Sequence, residues 1–199
     1  ALQVDYEEDE HGNKRPREQA PPTFKFLAPT SLASAIQFSA HVIENAAGGV
    51  LSITDKDDCY PGTDQQVVTL QGSDWGRVID GLRHVLSMVG NCSECIMPGH
   101  DEERRLCVVM PSKSVSALIG VKGANVKELQ QRTGVHIHVD GVAIGFGPGG
   151  DRAVNVNGGH MSLDQGIERA VGCVQEFADQ AWYSKWALRT NPERLEQDA

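Results

Sequence analysis

The sequence predicts an α+β protein made of two consecutive β-α-α-β-β-α units, each a three-stranded antiparallel sheet packed on helices. Three observations carry this. The order of strand-like and helix-like segments repeats once along the chain. Each copy opens with an apolar run ended by a proline, Phe24-Lys25-Phe26-Leu27 before Pro29 and Leu106-Cys107-Val108-Val109-Met110 before Pro111. Each closes with a long helix whose apolar residues fall on one face: Val78, Ile79, Leu82, Val85, Leu86 and Val89 in the first, Ile167, Val171, Val174 and Phe177 in the second.

Residues 1–22 hold the acidic run Glu7-Glu8-Asp9-Glu10, the basic cluster Lys14-Arg15-Pro16-Arg17 and Pro21-Pro22. They are expected to form a disordered acidic tail. The basic cluster is a short, weak match to a nuclear import signal. The first copy occupies 23–90. After Pro29, Ser31 is the expected N-cap of a helical stretch carrying Leu32, Ala35, Ile36, Val42, Ile43, Ala46 and Ala47, which Gly48-Gly49 ends. Val50–Ile53 and Val67–Leu70 read as strands around a turn-rich loop, and Ser73 or Asp74 caps the closing helix.

Residues 91–103 read as a linker and 104–190 as the second copy. After Pro111 comes a short helix with Val115, Leu118 and Ile119, then Gly120-Val121-Lys122-Gly123. A second helix with Val126 and Leu129 ends at Gly134. Val135–Val139 alternates like a half-buried strand, a glycine-rich loop runs from Gly141 to Gly150, and Arg152–Val156 is a third strand. Ser162 is the expected cap of the last helix, and 191–199 reads as a tail.

Composition excludes several classes. No apolar stretch is long enough to span a membrane. The five cysteines are odd in number and scattered, which does not make a disulfide scaffold. Cys92-x-x-Cys95 with His100 is at most half a zinc site, because no second ligand pair exists. No Ser/His/Asp set in a nucleophile-elbow context, Walker loop or metal-ligand cluster appears, so neither a catalytic residue nor a cofactor is expected. The net charge is −9, which by itself disfavours phosphate binding. The charge is unevenly placed. Residues 23–90 carry four basic and seven acidic side chains, whereas 104–190 carry ten basic and seven acidic.

A Gly-x-x-Gly between two short helices has a physical role. Its glycines let backbone N–H groups approach a phosphate, and the following helix offers its positive N-terminal end to the same charge. Lys122 adds a cation. An apolar groove between the helix pair and the strand Val135–Val139 can hold unstacked bases.

The segment Val115-Ser-Ala-Leu-Ile-Gly-Val-Lys-Gly-Ala-Asn-Val126, with Leu129, Thr133-Gly134-Val135 and Ile137 downstream, resembles the core of a type I KH domain. The loop Asp57-Asp58-Cys59-Tyr60-Pro61-Gly62-Thr63 and strand Val67–Leu70 resemble the variable loop and third strand of Nova-like and poly(C)-binding-like KH domains. The resemblance implies tandem type I KH domains. The first is degenerate: it shows Gln37-Phe38-Ser39-Ala40-His41 where the loop belongs, with the helix pair fused or tightly joined. In the second, Ser116 stands where the family usually has glycine.

The resemblance also implies single-stranded RNA as partner, single-stranded DNA being open, with a role in mRNA splicing, stability or translation in the nucleus or cytoplasm. The rival reading is a KH-fold protein-interaction scaffold. Expected RNA-binding residues are Gly120, Val121, Lys122 and Gly123 of the loop; Val115, Ala117, Ile119 and Ile137 of the groove floor; and His138 and Arg152 on the strands. The aromatic cluster Trp182, Tyr183 and Trp186 is expected to pack against a neighbouring domain or a protein partner.

Overall fold

The computed structural model describes residues 6–8, 12–16 and 19–190. In chain order its elements are β1 (Tyr6–Glu8), β2 (Lys14–Pro16), β3 (Thr23–Ala28), α1 (Thr30–Phe38), α2 (Ala40–Ala47), β4 (Val50–Ile53), β5 (Gln66–Gln71) and α3 (Trp75–Asn91). There follow β6 (Ile96–Met97), β7 (His100–Pro111), α4 (Ser112–Ile119), α5 (Ala124–Thr133), β8 (His136–Val139), β9 (Asp151–Gly158), α6 (His160–Gln175) and α7 (Ala181–Leu188). No helix among the described residues is long and apolar enough to cross a membrane.

The repeated element order is present, but the expected pair of separate sheets is not. β3 and β7 pair antiparallel and fuse the halves into one seven-stranded sheet, ordered β4-β5-β3-β7-β9-β8 with β6 appended to β7. The junction has a local two-fold pattern: Lys25↔Val109 and Leu27↔Cys107 flank Phe26↔Val108. Both strands present apolar runs with unused edges, and an exposed apolar edge is a liability that pairing removes. The helices cover one face. There α3 and α6 lie side by side, tied by Arg83 to Asp164 (3.3 Å) and Glu168 (3.7 Å). Phe24, Phe26, Leu70, Val85, Val108, Val154 and Val171 form the buried core beneath them. Leu27, Tyr60, Val67, Cys107, Val109 and Ala153 form a smaller cluster on the other face.

Local signals settle the helix ends. Asp74 caps α3, its carboxylate accepting the Arg77 N–H at 2.9 Å. Gly48 and Gly134 end α2 and α5 in the left-handed region. The caps expected at Ser31 and Ser162 do not form. Pro29 and Gly159 take those positions, whose backbone is extended. Ser31 instead bonds Glu94, and the Ser162 hydroxyl donates to the Thr133 carbonyl at 2.7 Å.

Two further expectations are corrected. The presumed linker 91–103 is built into the sheet. Cys92 and Cys95 are buried, β6 pairs with β7, and β7 begins at His100. Burial pushes the Cys95 thiol up to about 12. Within the presumed disordered tail, β1 and β2 form a hairpin, and Pro21 accepts a hydrogen bond from the Tyr183 hydroxyl at 3.0 Å. Arg17 of the basic cluster and the tail 191–199 lie outside the described residues.

The aromatic cluster is internal. Tyr183 and Trp186 are buried, so they offer no surface to a separate protein. Their neighbour is the first half of the chain: the Tyr183 hydroxyl accepts the Thr23 N–H at 2.9 Å, and the Tyr183 ring lies 6.1 Å from that of Trp75. Lys25 is buried over the Trp186 ring, 4.5 Å from its centroid, and donates to the carbonyls of Trp186 and Arg189. The Trp186 indole donates to Asp151 at 2.7 Å, and Arg189 reaches the same carboxylate at 3.3 Å. Burial raises the Asp151 carboxyl, and the Lys25 and Arg189 charges pull it back.

Burial lowers Lys25 to about 8, against the pull of Asp151. Between about 8 and the ordinary value of 10.5 the unfolded chain holds a proton that the folded chain has released. Folding stability from this group therefore rises with pH across that window. Lys25→Met is expected to remove the rise. Denaturant midpoints measured from pH 7.5 to 10.5 check this, and parallel profiles for the two proteins would contradict it.

Candidate nucleic-acid interface

The interface is assembled where α4 hands over to α5. α4 ends at Gly120, whose φ of 72° and ψ of 177° suit glycine. A single 3-10 turn, Val121–Gly123, follows, closed by the Gly123 N–H on the Gly120 carbonyl at 3.2 Å. Lys122 sits inside it at φ 52°, and no other non-glycine among the described residues has positive φ. Gly123, at φ 79°, precedes α5 and supplies no side-chain cap, so the first N–H groups of α5 stay available to an anion.

The two glycines are needed for different reasons. A Cβ on Gly120 would lie 2.4 Å from Cγ of Asn125. That asparagine cannot easily retreat, because its amide donates to the Ala117 carbonyl at 2.9 Å and staples α5 to α4. A Cβ on Gly123 would meet nothing closer than 3.9 Å, so its constraint is the left-handed backbone alone. The result is a rigid, protruding loop. Val121 is 82 % exposed and Lys122 is exposed beside it.

Behind the loop, the half-buried Ala117 and Ile119 of α4 and Ile137 and Val139 of β8 pack onto the core while keeping part of their surface open. The edge strand β8 is tied to α5 by the Ile137 N–H on the Gln130 side chain at 3.0 Å. Arg152 lies on the same sheet face, across from Met110 in the β7–β9 register and two residues before Val154, the partner of Val139. It donates to the Asp140 carbonyl at 2.9 Å, and its buried Nε has no hydrogen-bond partner.

The expected site residues divide into three groups. Gly120, Val121, Lys122 and Gly123 form the loop between α4 and α5, Ala117 and Ile119 lie half-buried on α4, and Ile137 and Arg152 lie on the helix-covered face of β8 and β9. Val115 is fully buried and supports the groove from beneath, so it is no contact residue. His138 is separated from the rest. Strand alternation points it to the face away from the helices, opposite Asn155, with its ring 3.8 Å from the Asp140 carboxylate and its side chain 76 % exposed. Ser116 turns its hydroxyl back onto the Ser112 carbonyl at 3.1 Å.

Sequence reasoning missed Asn125, Gln130 and Lys127. The Lys127 side chain passes beside Gly123, within 3.9 Å of its absent Cβ, and so adds a second cation to the loop. Its position one helical turn after the second glycine is the signal that could have marked it. The first half has no counterpart to this loop, because Ser39 alone joins α1 to α2.

An exposed cationic loop at a helix start, with half-buried apolar side chains of α4 and an edge strand behind it, suits a single strand of nucleic acid. Residues 105–172 match the family model for the KH domain. The second half of the chain thus carries a KH domain, a fold whose GxxG loop clamps about four nucleotides of backbone. No match was found among curated proteins.

Gly120→Ala is expected to dislodge Asn125 and lower the melting temperature, by the equivalent of about 1–3 kcal/mol. Gly123→Ala, which meets no side chain, should cost about 1 kcal/mol. Thermal melts of the two variants compare them directly, and equal costs would contradict the staple.

Proposed function

We propose that this protein binds single-stranded RNA through the KH domain of its second half and acts by binding, not catalysis, in post-transcriptional control of mRNA. The observation that carries the proposal is the exposed Gly120–Gly123 loop, with Lys122 and Lys127 beside the uncapped start of α5 and an open apolar groove behind it. Phosphates sit on the loop, Ala117, Ile119 and Ile137 floor the bases, and Arg152 meets their edges from the third strand. Such chemistry acts in the nucleus or the cytoplasm, wherever mRNA is handled.

The first half is, in this reading, a diverged copy of the same module. It repeats the element order and the spatial strand order, and the β3–β7 junction relates the copies by a local two-fold. The Tyr60-Pro61-Gly62-Thr63 loop supports kinship with Nova-like and poly(C)-binding-like proteins. Without a clamp, this half acts as a packing partner that fixes the position of the KH domain.

The test is equilibrium binding of the whole chain to randomised RNA and DNA pools at stated salt. The Val121→Asp, Lys122→Asp double variant is expected to abolish binding with an unchanged melt, because two carboxylates on an exposed loop repel phosphate. With about two or three phosphates neutralised, log K should fall against log salt with a slope near −0.7 per phosphate. Binding unaffected by the aspartate pair overturns the clamp, and no binding to either pool leaves the interaction-scaffold reading.

A further inference from the structure

We propose a second nucleotide site on the sheet face away from the helices, resting on the RNA-binding reading above. A cavity of about 600 Å³ opens there, between the loop from Tyr60 to Gln65 of the first half and the loop from Asp140 to Ile144 of the second. Its volume falls in the range of small-ligand sites. Leu27, Cys107 and Ala153 floor it, Asn155 stands among them, and Arg105 lies at its exposed rim.

Both walls are held in place before any ligand arrives. The first loop is closed by the Tyr60 N–H on the Gln65 carbonyl at 2.9 Å and by the Thr63 N–H and hydroxyl on the Tyr60 carbonyl at 3.0 and 2.8 Å. Its Tyr60 side chain is 3 % exposed, crosses to pack on the strands of the second half, and keeps a hydroxyl with no hydrogen-bond partner. The second loop is pinned by the Asp140 N–H on the Ala153 carbonyl at 3.0 Å and by the reciprocal pair between Ile144 and Asp151 at 2.9 and 2.8 Å. A preformed, mostly apolar hollow with an amide on its floor and a guanidinium at its rim suits a planar, hydrogen-bonding ring attached to a phosphate.

Continuity with the groove selects the ligand. Asp140 follows Val139, which walls the groove, and the Asp140 carbonyl holds Arg152, while Asp140 itself lines the cavity. A strand leaving the groove at this end passes over Asp140 and reaches the cavity mouth. The structure therefore assigns the cavity to the base of a nucleotide flanking those clamped by the KH groove, with Arg105 on its phosphate.

RNAs of about four nucleotides, and the same RNAs lengthened by about two at either end, separate the two sites. For the wild-type chain, extension at one end should tighten binding by about tenfold. Arg105→Glu and, independently, Val142→Glu should erase that gain while leaving the affinity for the short RNA unchanged, since Arg105 and the exposed Val142 lie outside the groove. Short-RNA binding with no gain on extension, or a gain that both variants retain, overturns the proposal. Failure of every RNA to bind overturns the RNA reading and this site with it.

Discussion

Three residue pairs between β3 and β7 hold the architecture together. Lys25↔Val109, Phe26↔Val108 and Leu27↔Cys107 turn two three-stranded sheets into one and oblige both helical layers to share a face. Phe26 and Val108 are fully buried there, so the ladder runs through the centre of the core. Everything on the opposite face follows from the same contact. Lys25 is carried into the interior, where an ammonium must find partners. The fold supplies two carbonyls, the Trp186 ring and the nearby Asp151. α7 is thereby clasped to the first strand of the chain's first half, although it follows the last helix of the second. A cut between the halves would bare the β7 edge and strip Trp186 of its cation, so the KH domain is mechanically dependent on its neighbour.

That frame explains why the candidate interface is rigid. The loop from Gly120 to Gly123 holds its shape through a local device, the Asn125 amide on Ala117, and its helices hold theirs through packing on a continuous sheet. β8 lies at the sheet's edge and would be the weakest wall of the groove. Gln130 answers this by taking the Ile137 N–H, which fixes the wall to the helix it faces. A clamp for a flexible single strand gains from such preorganisation, because the ordering cost then falls on the ligand alone.

Much of this was legible in the sequence, for identifiable reasons. The GxxG loop, the proline stops after the opening strands and the helix ends at Gly48 and Gly134 follow local rules, although the caps expected at Ser31 and Ser162 did not form. The junction was not legible, because pairing of two strands some eighty residues apart depends on register that no periodicity encodes. The linker reading of 91–103 failed for the same reason: its polar residues occupy an exposed strand extension, while Cys92 and Cys95 are drawn into the core. His138 was misplaced by one residue of parity, since Ile137 faces the helices and its neighbour must therefore face away. Val115 was placed on the groove floor, and its complete burial removes it from the surface. The aromatic cluster was expected to pack on a neighbouring domain or a partner, and Tyr183 and Trp186 meet Thr23 and Lys25 of β3 in the chain's first half.

The sheet order also bears on how a single strand of nucleic acid would meet this molecule. The groove of the KH domain lies along β8 at one edge of the sheet, and the corresponding position in the first half lies along β4 at the other. With strands about 4.8 Å apart, five spacings separate these edges by roughly 24 Å. The two positions are related by a local two-fold, so they run in opposite senses. A short single strand laid in one groove cannot continue in the same direction through the other. A clamp at the first half would thus add little that a short ligand on the KH domain could use. The charge distribution agrees: residues 23–90 are net acidic and residues 104–190 net basic. A strand longer than the groove is better served by a route around β8, where the Asp140 corner joins the two faces within one domain.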